Sequence, residues 1–211
     1  MYDHAAFAED TSNLFKREAA IYEALGSHPC ILKCIGVELM PDGEEAWALR
    51  LERAPHGNLR EYIGKNESPT MTRRLQVAID FTEALQYIHD RGVIWGDVSP
   101  RNVLVFDDLH IKLCDFAGST LKGKFPSFSL HVNLVVGYQD QKETLFSEIT
   151  GWTAPYGPIE IEELQQKLMD GEYPYVGDSN PVKDVIKKLR NFEYSSAQEV
   201  VQALRTALVD P

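Results

Sequence analysis

Asp97, Asn102 and Asp115 are the residues of this 211-residue chain whose types and spacing point most directly to chemistry. Asp97 and Asn102 lie five apart in the polar stretch Val93–Asn102 (VIWGDVSPRN), and Asp115 follows two short apolar runs. A carboxylate set against an acceptor hydroxyl can orient it and take its proton. A second carboxylate and an amide oxygen suit Mg²⁺, a hard cation that prefers oxygen ligands. Two acids and one amide at one rim therefore outline a site for a metal-bound phosphate. Phosphoryl transfer asks a protein chiefly for this kind of positioning and charge neutralisation.

The elements around these residues must bring them together. Val103–Phe106 and Leu109–Cys114 alternate in strand fashion around Asp107-Asp108. That pattern predicts a two-residue hairpin with Phe106 facing Leu109 and Leu104 facing Ile111. Leu104, Phe106, Leu109, Ile111 and Leu113 then share the buried face, and Asp115 returns to the open end beside the loop of Asp97 and Asn102. Upstream, Thr11 or Ser12 is expected to cap a helix that runs to about Leu25 and stops at Gly26. Phe15, Ala19, Tyr22 and Leu25 form its apolar stripe. Glu18 lies beside that stripe, and on this segment alone it reads as a solvated helix-face charge. Pro29–Val37 and Glu45–Leu51 read as strands around the turn Pro41-Asp42-Gly43, and Leu59–Ile63 begins a short helix after a connector rich in turn formers. Thr72 to Asp90, preceded by Ser68-Pro69-Thr70 and ended by Gly92, has the helical period of a core helix.

Beyond Gly118 the chain is polar and irregular through Phe128, with Ser119, Thr120, Ser127 and Ser129 expected on a surface loop. Leu130–Tyr138 reads as a strand or short apolar segment, and Leu145–Ile149 offers barely one helical turn. A helix over Ile159–Met169 ending at Gly171, another starting near Pro181, and a last one opened by the capping box Ser196/Glu199 and running to about Leu208 complete the chain.

Composition narrows the classes. A hydrophobic content of 44% and a charged content of 25% are those of an ordinary globular domain. A net charge of −11 argues against nucleic acid or an anionic membrane as the main partner. It leaves room for a nucleotide, whose phosphates local cations and Mg²⁺ can meet. Cys30, Cys34 and Cys114 sit in apolar runs without the partners a zinc site needs, so they read as free thiols in a reducing compartment. The N-terminal MYDHAAFAED lacks the apolar core of a signal peptide, and no run approaches the roughly 20 apolar residues of a membrane span. A cytoplasmic protein is expected, with the nucleus not excluded.

The whole string WGDVSPRNVLVF followed by IKLCDFAG resembles the eukaryotic protein kinase family, from Glu18 through Gly118 in good register and more loosely beyond. GDVSPRN is similar to the catalytic loop, which makes Asp97 the candidate base and Asn102 a metal ligand. DFAG is similar to the metal-binding motif, which makes Asp115 the other ligand. FKREAAIYEALGSHPCILKCIG resembles helix C and the strand after it, with Glu18 as the ion-pairing glutamate. RLERAPHGNLREYI resembles the hinge, with Leu51 as gatekeeper and with the Glu52 carbonyl and Ala54 amide expected at adenine. The fold implied is α+β and mainly helical. It has a remnant N-lobe over 1–51 (helix C plus two strands), a hinge over 52–58 and a shortened helical C-lobe over 59–211. ATP and Mg²⁺ are the implied cofactors and a protein substrate or partner protein the implied macromolecule.

The chain also departs from the family pattern. No glycine precedes Gly26, so no glycine-rich phosphate loop stands upstream of Glu18, and no strand-borne lysine does either. Trp95-Gly96 replaces the usual His-Arg; Trp95 is expected to fill an apolar slot against Phe116. Ser99 stands where serine/threonine kinases place a lysine, and Arg101 where tyrosine kinases place an arginine that can supply that charge. Ala117 replaces a glycine, restricting the backbone there. No Ala-Pro-Glu anchor follows, and the long buried helix of the family is expected to shrink to Thr144–Ile149. Three functions compete on this basis: a protein kinase using ATP and Mg²⁺, a pseudokinase-like binding module, and, from Trp95-Gly96-Asp97, a small-molecule phosphotransferase of the aminoglycoside type.

Overall fold

The computed structural model describes residues 4–41, 43, 45–124, 144–154, 157, 163, 166–167, 170–173, 175–178 and 180–209. The first helix, α1 (His4–Leu25), starts well before Thr11 and Ser12, so neither caps it. Ser12 is instead buried within the helix, and its Oγ accepts the Ala46 N–H at 2.9 Å. A hydroxyl that looks like a helix start fastens the helix to a strand. Ile21, Tyr22 and Leu25 are buried, and Gly26 ends the helix with φ +65° while its N–H donates to the Tyr22 carbonyl. β1 (Cys34–Leu39) is shorter than the run Pro29–Val37, and Ile31 makes only an isolated bridge to Leu113. β1 pairs antiparallel with β2 (Ala46–Leu51), with irregularities between Cys34 and Gly36 and between Glu38 and Leu39. Asp42, in the expected turn, lies outside the described residues.

α2 (Leu59–Lys65) is capped by Asn58, whose Oδ1 accepts the Glu61 N–H at 2.9 Å. α3 (Met71–Asp90) is capped by Thr70 and buries Leu75, Ala78, Phe81, Leu85 and Ile88, the stripe its period predicts. Gly92 follows in the left-handed region at φ +71°. Four short strands come next. β3 (Val93–Ile94) pairs antiparallel with β6 (Thr120–Leu121), and β4 (Val103–Val105) pairs antiparallel with β5 (Ile111–Leu113). Thr120 is thus a strand residue and Ser119 is fully buried, which corrects the surface-loop expectation for this pair. Ser127, Ser129 and Leu130–Tyr138 lie outside the described residues.

The β4–β5 hairpin forms, but its register differs by one residue. The turn is a 3₁₀ turn over Asp107–Leu109, with Asp108 and Leu109 both at φ +55°. Phe106 therefore opposes His110, whose carbonyl accepts the Phe106 N–H at 2.8 Å. Val103 faces Leu113, Leu104 faces Lys112 and Val105 faces Ile111. A one-residue slip exchanges the faces of a strand. Val103, Val105, Ile111 and Leu113 accordingly form the buried face, while Leu104 and Phe106 are only partly buried.

Residues 144–151 form α4, buried from Leu145 to Thr150 and about two turns long, longer than expected from Leu145–Ile149. It rests on α3 through an edge-on Phe81–Phe146 contact at 5.6 Å, and the Arg74 guanidinium donates to the Thr150 carbonyl. Most of 159–169 lies outside the described residues. α5 (Lys183–Arg190) follows Pro181, and α6 (Ala197–Val209) packs on α3, where Arg205 pairs with Glu83. Ser196 Oγ accepts the Glu199 N–H at 3.3 Å, but the Glu199 carboxylate returns to the Ser195 N–H at 2.8 Å, one residue earlier than a standard capping box.

Candidate functional site

Two ladders meet at the residues picked out first. β3 delivers Trp95-Gly96-Asp97, and its partner β6 begins immediately after Ser119. The other ladder ends where Asn102 and Cys114 pair: the Cys114 N–H donates to the Asn102 carbonyl at 3.0 Å, and the Cys114 thiol approaches the same oxygen at 3.3 Å. Residues 114–119 therefore form a short strap between β5 and β6, with Asp115 one step beyond the Asn102 contact. Asn102 also turns back on the loop, its Nδ2 donating to Asp97 Oδ2 at 2.9 Å and to the Asp97 carbonyl at 3.2 Å. The carboxylates of Asp97 and Asp115 are both on exposed residues.

Beneath the strap, the fully buried Trp95 donates its indole N–H to the carbonyls of Cys114 (3.1 Å) and Asp115 (3.0 Å). Those bonds support Asp115 at φ +56°, a left-handed conformation that aspartate adopts more readily than most residues. Trp95 packs on Phe116 at 6.3 Å, as the sequence predicts, and Phe116 meets Tyr22 of α1 edge-on at 5.1 Å. Gly96 is dictated by sterics. A Cβ there would lie 2.1 Å from the Gly118 carbonyl oxygen, so the loop and the strap approach at a distance that only glycine permits. The Gly96 N–H donates to Ser119 Oγ at 3.1 Å.

Above the strap stands α1. Glu18 accepts the Phe116 N–H at 3.0 Å, so its carboxylate is not on a solvated helix face but spent on the backbone beside Asp115. Burial raises its pKa, opposed by the Phe116 N–H and assisted by the negative charge of Asp115. Arg17 donates to the Ser119 carbonyl at 2.7 Å. Burial likewise pushes the Cys114 thiol up to about 12, with Asp115 and Glu18 adding to it, so Cys114 is an inert packing residue.

Below the loop lies an ion pair that the sequence does not announce. Glu148 of α4 has a side chain with no exposed surface, and its Oε1 is 2.6 Å from Arg60 Nε of α2. Burial pushes its pKa up to about 7 against the pull of Arg60 and, less strongly, of exposed Arg101. The Arg60 N–H also donates to the Pro100 carbonyl at 3.3 Å, so α2 is tied to the loop itself. At the connector, Leu51 ends β2 partly buried. The Glu52 carboxylate takes the Lys33 N–H (2.7 Å) and the Lys112 ammonium (2.6 Å), which hold its pKa down against its own burial. Ala54 lies two residues further on. Of the expected hinge residues, Glu52 is joined to β5 through Lys112. Among the described residues no group of three or more His, Cys, Asp or Glu side chains is placed to hold a metal, all three cysteines are free, and no helix is long and apolar enough to cross a membrane.

Residues 3–124, which carry the rim, the strap and α1, match the family of protein tyrosine and serine/threonine kinases. The chain belongs to the eukaryotic protein kinase family. It is 34% identical over 97 residues to a probable receptor-like protein kinase of Arabidopsis thaliana, covering 44% of this chain and 28% of that protein. It is 33% identical over 110 residues to a serine/threonine/tyrosine-protein kinase of Arabidopsis thaliana, covering 51% and 27%. A longer match, 28% over 196 residues, is to a mouse leucine-rich repeat serine/threonine-protein kinase and takes in 83% of this chain but 9% of that protein. The aligned part thus amounts to under a third of the length of each relative. The mixed helices and small sheets fit a kinase-like fold.

Proposed function

We propose that this kinase-family chain binds a Mg²⁺–ATP complex against the rim of Asp97, Asn102 and Asp115 and transfers its terminal phosphoryl group to a hydroxyl on a protein. The observation that supports this reading most is the Asn102–Asp97 hydrogen bond at 2.9 Å, continued by the Asn102 carbonyl to Cys114. It supports a reading in which Asp97, Asn102 and, one residue beyond Cys114, Asp115 line one rim. Asn102 spends its Nδ2 on Asp97, which leaves Oδ1 as a hard donor, and the exposed Asp115 offers another, a pair that suits Mg²⁺. The bound ion neutralises phosphate charge. Asp97 orients the acceptor hydroxyl and takes its proton as the oxygen bonds to phosphorus and the bond to the nucleoside diphosphate breaks. Arg101 supplies positive charge beside the transferred group. Leu51, the Glu52 carbonyl and the Ala54 amide receive the adenine. In this reading 1–51 is a partial N-lobe, 52–58 a hinge and 59–211 the C-lobe, and the free thiols suit a cytoplasmic protein.

A second reading, a pseudokinase-like binding module, is favoured by Glu18, whose carboxylate is occupied by the Phe116 N–H and not, among the described residues, by a cation. One measurement tests the site itself and a second separates the readings. Mg²⁺-dependent thermal stabilisation by ATP is expected in both cases if the site binds nucleotide, and no shift at millimolar nucleotide would remove the site altogether. Phosphate transfer to a protein acceptor is expected to vanish in Asp97→Asn. A binding chain whose wild type shows no transfer is a binding module, and equal activity in Asp97→Asn would overturn the base assignment.

A further inference from the structure

The strap from Cys114 to Ser119 carries Asp115, and its two ends continue into the short β4–β5 and β6–β3 ladders. Between those ends its backbone is held from both sides. From below, Trp95 takes the Cys114 and Asp115 carbonyls and the Gly96 N–H takes Ser119 Oγ. From above, Glu18 takes the Phe116 N–H at 3.0 Å and Arg17 donates to the Ser119 carbonyl at 2.7 Å. Ser119 is where the two sides join: fully buried, it receives the loop through its hydroxyl and α1 through its carbonyl. Its own N–H closes the strap on the Phe116 carbonyl at 3.0 Å.

We propose that Arg17 and Ser119 are positioning residues, a clamp that ties α1 to the Trp95-Gly96-Asp97 loop through the strap and so fixes Asp115 next to Asn102 without needing a cation on Glu18. The two bonds act in series. Arg17 pins the strap to α1, and the Ser119 hydroxyl pins it to the residue that precedes Asp97. Gly96 makes the second bond possible, because any side chain there would hold Gly118 and Ser119 off the loop. Neither residue touches substrate in this scheme; both act through Asp115 and Asp97. The functional consequence rests on the nucleotide reading above, whereas the clamp itself does not.

Hydrogen exchange on the ligand-free chain tests the clamp directly, with the amides of Gly96, Phe116 and Ser119 as reporters. In Arg17→Met, which keeps the stem and loses the donor, exchange at Phe116 and Ser119 is expected to quicken about tenfold, the scale of one charged hydrogen bond, with α3 unaffected. Arg17→Lys, which keeps a donor, is expected to restore most of the protection. Ser119→Ala is expected to release the Gly96 amide by a similar factor, and it carries the test should Arg17→Met fail to fold. Unchanged protection in Arg17→Met and Ser119→Ala, or Arg17→Lys behaving like Arg17→Met, would overturn the proposal. In a chain that binds Mg²⁺–ATP, Arg17→Met is also expected to weaken that binding about tenfold. A wild type that binds no nucleotide sinks the functional reading and leaves the exchange result to decide the clamp.

Discussion

The floor and the roof of the 114–119 strap are built differently. The floor is a backbone-to-backbone approach at Gly96 and Gly118, a buried indole reaching two carbonyls, and, under the loop, the Glu148–Arg60 pair. The roof is two partly exposed side chains of α1, Arg17 and Glu18, each making one bond to strap backbone. Steric contacts between backbones cannot be traded for others, whereas a side chain on a helix can move away and let water take its place. The floor therefore belongs to the fold as a whole, and the roof governs one segment.

Breaking the floor at its tightest point has the largest expected effect. Gly96→Ala places a methyl group 2.1 Å from the Gly118 carbonyl oxygen, and the neighbour is backbone rather than a flexible tip. We expect a loss of about 3 kcal/mol in urea unfolding, at the upper end of overpacking costs, with the whole domain melting earlier. A loss confined to exchange of the strap amides, with global stability intact, would show that the floor yields as easily as the roof.

The second floor element makes stability depend on pH. Glu148 titrates near 4.5 when unfolded, and burial pushes it up to about 7 in the fold. Between those values the folded chain holds a proton that the unfolded chain has released, so this group's contribution falls as pH rises and is lost above about 7. Other carboxylates titrate in the same window, so the measurement is the difference between wild type and Glu148→Gln. That difference is expected to move against the wild type by on the order of 3 kcal/mol across the window. A flat difference would mean that Arg60 keeps the buried carboxylate charged throughout.

The same contrast decides what the sequence makes legible. Local signals predict the floor's scaffold well. The period of α3 and the Gly92 stop each depend on neighbours in the chain. The errors arise where a distant partner overrides a local cue. Ser12 looks like a helix cap, but its hydroxyl goes to Ala46, so α1 starts earlier. Asp107-Asp108 looks like a two-residue turn, but Leu109 also takes a left-handed conformation, and β4 turns over. Ser119 looks like loop surface because nothing near it in sequence reveals that Gly96 will lie against it. Glu148 sits in an apolar stretch, and that unusual placement of a charge was the one available hint of a buried ion pair. Glu18 reads as solvated because its partner, the Phe116 N–H, is 98 residues away.

Glu18 also provides the gentlest test of the roof. Glutamine keeps the oxygen that accepts the Phe116 N–H and removes the charge that burial and Asp115 both disfavour. Glu18→Gln is therefore expected to change stability at neutral pH by less than about 1 kcal/mol. Its small advantage over wild type grows as pH rises through the elevated Glu18 pKa, because a group whose pKa is raised on folding loses stabilisation in that direction. If the roof works through this backbone bond, Mg²⁺–ATP binding is also expected to survive the substitution, measured side by side with wild type in the same thermal titration. A tenfold loss of binding with unchanged unliganded stability would mean that the charge itself matters. The roof would then need a cation opposite Glu18 when nucleotide is bound, and the hydrogen bond to Phe116 would be only the resting arrangement.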